Sequence, residues 1–340
     1  MHGVGNVALV QRAAPSDPDP DDVQISIRSV GLCGSDLKYF TEGGVSSDIQ
    51  RPFILGHESS GEVVKVGDNV RHLQVGQRVA IEPGKPCWKC DYCHRGNYNL
   101  CLEMYFMASR SRDGALQEVL NWPAALAYAL PDLISNDEGA LIEPMSVALS
   151  GVQMGEIRLG ERVLVLGAGA IGLMVAQFAK IAGAGFVAVT DTQSQRLEIA
   201  KSLGADRVID VTTLASNDDG KPAQLTLNPD SIDVLIDTTG AAAAIGQAYA
   251  VLKRGGRITM IGLGHQVMPL SLLDIVYKQL TIQGVYRYKN TYPTVIQALI
   301  KKQIAVQPLI THHFEIDQVT VAFQTALKMD QAIKVMILFP

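Results

Sequence analysis

The stretch between Val163 and Asp191 constrains the fold of this chain more than any other part of the sequence. It begins with an apolar run of strand length, Val163 to Leu166. Glycines follow at once in the order G-x-G-x-x-G, and apolar residues then recur at helical spacing. Strand, tight glycine turn and helix in this order are typical of a dinucleotide-binding βαβ unit. The turn residues predicted to contact the cofactor are Gly167, Gly169, Ala170, Ile171 and Gly172.

A second apolar strand, Phe186 to Thr190, ends at Asp191. In a dinucleotide-binding unit, an acid near this offset accepts hydrogen bonds from both ribose hydroxyls and repels a 2′-phosphate. We therefore expect NAD rather than NADP as the cofactor. Arg196 could favour NADP, but we expect it to pack on the adenine side while Asp191 dominates. The alternative is an ordinary glycine turn in an α/β core, which the flanking strand, helix and acid together disfavour.

Strands and helices continue to alternate after this unit. Four further apolar strands bring the number to six, and six strands in βα order predict a doubly wound parallel sheet. The further strands are predicted at 207–209, 232–236, 257–261 and 280–285, and helices at 196–203 and 241–252. Outside this region the sequence predicts strands at 7–10, 23–30, 313–316 and 333–338, and helices at 292–301 and 319–328.

Length and charge narrow the class of protein. A chain of 340 residues favours two domains. The net charge of -5 and the absence of a long basic run argue against nucleic acid and membrane surfaces as partners, and for a small-molecule substrate. The longest uncharged apolar stretch, 163–179, is short for a membrane span, and the sequence shows no secretory signal. We therefore expect a cytoplasmic location.

Four of the five cysteines crowd into one short segment. The spacing C-x2-C-x2-C-x7-C can close a tetrahedral zinc site with no open position, which indicates a structural role. An iron-sulfur cluster is the chemical alternative, but the last spacing differs from the ferredoxin pattern. The predicted ligands of this structural zinc are Cys87, Cys90, Cys93 and Cys101.

A second set of candidate ligands lies nearer the N-terminus. Cys33 stands between two glycines at the end of a predicted strand, and it could be a small buried apolar residue. The segment that begins at Gly56 reads G-H-E-x2-G-x5-G-x2-V. This segment resembles the signature of the zinc-containing medium-chain dehydrogenases, the alcohol dehydrogenase superfamily.

Within that superfamily the chain looks most like the sorbitol or xylitol (polyol) dehydrogenases, and the resemblance covers nearly its whole length. It implies an α/β fold with a GroES-like, mostly β catalytic domain (1–145 and 286–340) and an inserted Rossmann domain (146–285). The segments that carry the resemblance are 33–36 with Tyr39, 56–58, 81–84, 98–100, 140–144 and 284–288.

The resemblance also assigns the catalytic site. It implies that Cys33, His57 and Glu58 bind a catalytic zinc, and that Glu143 reaches the metal directly or through its water. Ser35 is expected to start a proton path. The residues expected to face the substrate are Tyr39, Phe106, Glu143, Arg287 and Tyr288.

The function that follows is hydride transfer from a secondary hydroxyl of a polyol to NAD, giving the ketose, by a homo-oligomer that is a tetramer or a dimer. The alternatives are another zinc dehydrogenase, acting on threonine, a sugar or a simple secondary alcohol, or a nicotinamide-binding protein without catalysis.

The sequence departs from the family pattern in two places. Lys38 replaces a histidine of many relatives, and the segment before Val7 is short, so either the first sheet lacks an edge strand or the sequence starts late.

Overall fold

The computed structural model describes residues 1–44, 52–109, 112–214, 225–264 and 267–340. These residues form two compact units. The first comprises Met1–Pro144, Tyr292–Lys302 and Val306–Pro340, and the second comprises Met145–Thr291 with Gln303–Ala305. None of the helices in the described residues combines the length and the apolar composition needed to cross a bilayer.

The strands of the described residues are numbered here in chain order. They are β1 (Asp22–Gly31), β2 (Glu58–Val66), β3 (Arg78–Ile81), β4 (Gly84–Lys85), β5 (Tyr105–Phe106), β6 (Val119–Pro123), β7 (Ala127–Ala129), β8 (Arg162–Leu166), β9 (Phe186–Asp191), β10 (Arg207–Asp210), β11 (Ile232–Asp237), β12 (Leu252–Met260), β13 (Thr281–Gly284), β14 (Ile310–Glu315) and β15 (Lys334–Leu338).

The helices are numbered in the same way. They are α1 (Gly34–Glu42), α2 (Asp91–His94), α3 (Asn136–Ala140), α4 (Ile142–Met154), α5 (Ala170–Ile181), α6 (Ser194–Ser202), α7 (Ala242–Ala248), α8 (Leu272–Lys278), α9 (Tyr292–Ile300) and α10 (Val319–Ala326). Short 3₁₀ helices lie at Tyr98–Leu100, Ala124–Leu126, Val211–Thr213, Tyr249–Val251, Gln307–Leu309 and Ile316–Gln318.

The first unit is organised by a mostly antiparallel sheet in the order β14-β15-β1-β2-β3-β7, with β6 paired to β1. Strand β1 lies at its centre and pairs with β2, β6 and β15. Its β-branched residues Val23, Ile25 and Ile27 alternate along the strand and are fully buried, which suits a pleated strand with one face on the core. Because β15 pairs with β1, the C-terminal part of the chain completes the first unit.

The second unit contains a parallel sheet in the order β10-β9-β8-β11-β12-β13. All five neighbouring pairs run parallel, and β8 and β11 are buried almost continuously. Such continuous burial is typical of parallel strands that are covered on both faces. The strand order reverses between β8 and β11, so the predicted doubly wound sheet of six strands is confirmed.

The structure corrects the sequence interpretation in two places. The predicted strand at 7–10 is irregular, because only Val7 is buried while Leu9 and Val10 are exposed and find no strand partner among the described residues. Helix α8 was missed, because its apolar residues Leu272, Leu273 and Val276 are exposed and give no core-facing stripe.

Candidate active site

Cys33 stands immediately before helix α1, in extended backbone conformation, and is half-buried. Strand β1 ends two residues earlier, so the sulfur is carried by a strand-to-helix turn rather than by a loop. Ser35 lies in the first turn of α1 and is partly exposed, while Tyr39, one turn further on, is buried with its ring 5.4 Å from that of Phe53. The start of α1 therefore carries a thiol and a hydroxyl two positions apart in the chain.

His57 and Glu58 reach the same place through strand pairing. Glu58 is the first residue of β2 and lies opposite Gly31 of β1, so the start of one strand meets the end of the other. The ligand atoms of Cys33, His57 and Glu58 all lie within 4.8 Å of one another. His57 and Glu58 are buried, at 6% and 1% exposure. A thiol, an imidazole and a carboxylate at such spacing form a donor set suited to zinc.

Asp36 lies behind His57 and was not singled out by the sequence analysis. Its carboxylate is fully buried and accepts hydrogen bonds from the amides of Cys33 (3.0 Å) and Gly56 (3.1 Å). One of its oxygens lies 3.6 Å from Nδ1 of His57, slightly beyond hydrogen-bond distance. Burial raises the pKa of Asp36, but the charge of His57 and the two amides lower it overall. A carboxylate behind a metal-binding histidine orients the ring.

Lys334 of β15 is the second residue that the sequence analysis missed. Its Nζ lies 2.9 Å and 2.7 Å from the two carboxylate oxygens of Glu58 and donates a further hydrogen bond to the carbonyl of Leu32. Both side chains are almost completely buried. Burial lowers the pKa of Lys334, but Glu58, Cys33 and Glu143 raise it overall. The available signal was a lysine inside an otherwise apolar strand.

The other predicted residues of the first unit lie in different surroundings. Glu143, in the first turn of α4, is buried, and its charge contributes to the raised pKa of Lys334. It is not part of the three-ligand cluster formed by the described residues. Phe106 of β5 is buried with its ring 5.6 Å from the ring of His57. Phe106 thus forms an apolar contact beside the cluster.

The four remaining cysteines form a lobe between β4 and β5. Their sulfur atoms also lie within 4.8 Å of one another, and all five cysteines of the chain are free thiols. The amide of Cys93 lowers the pKa of Cys90 to about 6, whereas burial raises the pKa of Cys93 to about 12. Four convergent sulfur donors are the chemistry of a closed zinc site. The sequence prediction placed these four residues together, and the structure does the same.

The predicted nucleotide turn joins β8 to α5 in the second unit. Gly167 has a φ of 94°, and a Cβ on Gly172 would overlap the carbonyl of Gly167, so glycine is required at both positions. Gly169 precedes the first residues of the helix, Ala170 and Ile171, whose N-terminus offers free amides to an anion. The turn therefore leads into a helix N-terminus of the kind that can bind an anion.

Asp191 lies at the end of β9, and its carboxylate accepts hydrogen bonds from three backbone amides. One carboxylate oxygen accepts from Ala168 at 2.6 Å, and the other accepts from Thr192 and Gln193 at 2.8 and 2.9 Å. Burial lowers the pKa of Arg196, and the charge of Asp191 opposes that shift. The carboxylate of Asp191 is therefore held beside the glycine turn, and its negative charge interacts with Arg196.

Arg287 and Tyr288 lie in the second unit, after β13. Arg287 adopts a φ of 57° and its guanidinium lies 4.6 Å from the centre of the Tyr286 ring. Tyr288 is buried at 3% exposure. A left-handed backbone at a bulky residue is uncommon, and such residues cluster at active sites and ligand-binding regions.

Two family descriptions match most of the chain. "Alcohol dehydrogenase GroES-like domain" matches residues 19–132, and "Zinc-binding dehydrogenase" matches residues 170–301. Human sorbitol dehydrogenase is 39% identical over 340 residues, which cover 99% of this chain and 94% of that protein. The chain belongs to the zinc-binding dehydrogenases.

Other proteins resemble the chain to a similar extent. Sorbitol dehydrogenase of Arabidopsis thaliana is 38% identical over 321 residues, covering 93% of this chain and 88% of that protein. A solved Escherichia coli structure, described as an oxidoreductase/dehydrogenase of unknown specificity involved in membrane biogenesis, has a TM-score of 0.90 and 34% identity. The match covers 99% of this chain and 96% of that one. The predicted family and its two-part fold are therefore confirmed.

Proposed function

We propose that this zinc-binding dehydrogenase oxidises a secondary hydroxyl of a polyol, such as sorbitol or xylitol, to the ketose with NAD as hydride acceptor. The observation that carries the proposal is the convergence of Cys33, His57 and Glu58 in a buried donor set. The similarity to sorbitol dehydrogenases supports the substrate class. The proposal places a catalytic zinc at this set and a structural zinc at Cys87, Cys90, Cys93 and Cys101.

When bound, zinc supplies Lewis acidity toward the substrate oxygen and NAD accepts the hydride. The residues of the chain do the rest. Cys33, His57 and Glu58 hold the metal, and Asp36 keeps the imidazole in orientation. Lys334 balances the charge of Glu58, which limits the number of uncompensated negative charges around the metal. Glu143 contributes a buried carboxylate, which we propose acts at the metal directly or through a water.

The hydroxyl proton must leave as the carbonyl forms. We propose that Ser35, partly exposed in the first turn of α1, accepts a hydrogen bond from the reacting hydroxyl and starts the path of this proton to solvent. Lys38 lies one turn further along the same helix, where many relatives carry a histidine. We do not assign Lys38 as the carrier of the proton.

A polyol presents several hydroxyl groups, so its recognition needs several fixed donors and acceptors. We propose that Arg287, Tyr288 and Tyr39 supply hydrogen bonds to these hydroxyls and that Phe106 supplies an apolar wall.

The first experiment is a panel of polyols, sugars, threonine and simple secondary alcohols, with NAD reduction as the readout, before and after treatment with a chelator. If simple alcohols or threonine are turned over in preference to polyols, the proposed substrate class is wrong and the preferred compound indicates the correct one. No turnover in zinc-loaded protein would favour a non-catalytic role.

The Arg287→Ala variant tests the substrate assignment directly. Loss of a charged hydrogen-bond donor costs about 1.5–3 kcal/mol, which corresponds to a fall in kcat/KM for polyols of roughly tenfold to a hundredfold. Activity on 2-butanol, which offers no further hydroxyls, should change much less. If both substrates lose activity equally, Arg287 serves the cofactor or the fold instead.

The Asp191→Ala variant tests the cofactor assignment. The carboxylate of Asp191 would repel a 2′-phosphate, so the wild type should have a higher kcat/KM with NAD than with NADP. Removal of the carboxylate leaves Arg196 nearby, and the preference for NAD should narrow. A wild-type preference for NADP would contradict the assignment.

We also propose a cytoplasmic homo-oligomer, a dimer or a tetramer. Its support is an exposed apolar surface on α8, formed by Leu272, Leu273, Val276 and Tyr277, beside the edge strand β13. Surfaces of this kind are typical of contacts between protein chains. Light scattering of the purified protein should give a multiple of 36.6 kDa, and Val276→Lys should reduce it, whereas the same change at exposed Val75 of the first unit should not.

A further inference from the structure

Asp237 is a buried carboxylate for which the proposed chemistry has no use. It is the last residue of β11 and is fully buried. One carboxylate oxygen accepts hydrogen bonds from the amide (3.0 Å) and the hydroxyl (2.7 Å) of Thr239, and the other accepts from the amide of Gly240 (3.0 Å). All three donors belong to the turn that follows the strand. The carboxylate therefore fixes the shape of residues 238–240.

Residues 237 and 238 also form hydrogen bonds with the neighbouring strands on both sides. The amide and the hydroxyl of Thr238 donate to the carbonyl of Leu166, the last residue of β8, at 3.0 and 2.8 Å. The carbonyl of Asp237 accepts from the amides of Ile261 and Gly262, which follow β12, at 2.8 and 3.1 Å. The carboxyl ends of three neighbouring strands are thus tied together through residues 237 and 238.

Glycines make this arrangement sensitive to the position of the turn. The backbone of Gly240 packs directly against Gly262 and Gly264, and a Cβ on any of the three would overlap the facing backbone. Gly167, in the nucleotide turn, packs against the side chains of Thr238 and Thr239, which a Cβ at this position would overlap. A displacement of residues 238–240 would therefore be transmitted to the turns that follow β8 and β12.

The location of this turn points to one half of the cofactor. A doubly wound sheet binds a dinucleotide across the crevice where its strand order reverses, with one mononucleotide on each half. Here the reversal lies between β8 and β11. Asp191, at the end of β9, marks the half that binds the adenosine. The turn after β11 lies on the opposite half.

We propose that Asp237 is a positioning residue that holds the turn 238–240 in place to receive the nicotinamide half of the dinucleotide. The inference rests on the proposed function only in that NAD is the ligand. Asp237 acts through the backbone of the turn and takes no part in the chemistry.

The experiment compares Asp237→Asn with Asp233→Asn in the full chain, by isothermal titration with NAD and, separately, with AMP. Asp233 lies on the same strand at its opposite end, where it accepts from the amide of Arg162 (2.9 Å) and from Lys253 (2.6 Å). In Asp237→Asn the amide group would face donors in the turn, so the affinity for NAD should fall about tenfold while that for AMP stays unchanged. Asp233→Asn should bind both ligands as the wild type does.

Equal losses for NAD and AMP in Asp237→Asn would mean that the residue supports the whole domain, and an unchanged affinity for NAD would mean that the turn needs no such support. Either result overturns the inference. A wild type that binds neither NAD nor AMP would instead refute the proposed cofactor. If Asp237→Asn does not fold, as judged by circular dichroism, Thr239→Val removes one of the same hydrogen bonds and should show the same selective loss for NAD in weaker form.

Discussion

The two ligand clusters of the first unit differ in how the chain assembles them. The four cysteines of the lobe lie within 14 positions of one another, and their lobe needs only α2 and a short 3₁₀ helix. Cys33, His57 and Glu58 come from the facing ends of β1 and β2, and the lysine that pairs with Glu58 lies 276 positions further on. One cluster is local in sequence, whereas the other depends on the completed sheet.

The surroundings of the donors differ as well. In the lobe the described contacts of the sulfur atoms are mainly with one another and with amides of the same lobe. In the other cluster each polar donor has a neighbour from elsewhere in the fold, Asp36 for His57 and Lys334 for Glu58. A local cluster can stabilise its own segment by binding a metal. A cluster of three protein ligands leaves an open coordination position, as catalysis requires.

The largest effects should come from removing one ligand of each cluster. His57→Ala should lose one of two zinc ions per chain and bring turnover below detection with the fold intact, because the other ligands are already held by the sheet. Cys101→Ser should also lose one zinc, but it should lower the thermal midpoint because the lobe depends on its metal. Zinc analysis, circular dichroism and turnover, measured on both variants, separate the two roles.

A single zinc in fully active wild-type protein would contradict the assignment of two sites. A lower thermal midpoint in His57→Ala than in Cys101→Ser would reverse the roles given to the clusters.

The second prediction concerns the buried ion pair between Lys334 and Glu58. Lys334→Met removes the cation and leaves the carboxylate of Glu58 buried without its partner, which should destabilise the metal-free protein by about 3–5 kcal/mol. Added zinc should reduce this loss, because it supplies a positive charge to the same carboxylate. Urea unfolding with and without zinc measures the difference.

The matched control for this variant is Lys65→Met. Lys65 lies on the same strand as Glu58 and forms an exposed ion pair with Asp17, which this substitution breaks. It should cost less than about 1 kcal/mol. If both variants lose the same free energy of unfolding, the buried pair contributes no more to stability than the exposed pair.

The smallest effect should come from Glu82, a buried carboxylate at the base of the lobe. Among the described residues it forms no ion pair, and the hydroxyl of Tyr128 donates to it at 2.8 Å. Burial raises its pKa above the ordinary 4.5, although hydrogen bonds from Tyr128 and Tyr98 oppose the shift. The folded state thus holds the proton more tightly than the unfolded state, and this carboxyl destabilises the fold as pH rises above 4.5.

Glu82→Gln removes this titration while keeping an acceptor for Tyr128. The free energy of unfolding of the variant, relative to the wild type, should therefore increase as pH rises from 4 to 8. A relative stability that falls over this range would mean that the ionised carboxylate is stabilising where it lies.

Local pattern explains what could be predicted from the sequence. The six strands of the second unit follow apolar runs, and the cysteine lobe follows spacing within one segment. Asp36 and Lys334 were missed because their roles depend on contacts with His57 and Glu58 across the fold. Helix α8 was missed for the opposite reason, since its apolar residues are exposed, and the interval 7–10 has strand-forming residues but no described partner strand.

The dependence of Glu58 on β15 has a consequence for the order of events during synthesis. On the ribosome, the cysteine lobe can take up metal once Cys101 has emerged, while most of the chain is still untranslated. The ion pair of the other cluster can form only after Lys334 has been made and β15 has paired with β1. Nascent chains that stall within the second unit would thus carry the complete cysteine lobe, while Glu58 would still lack its lysine partner.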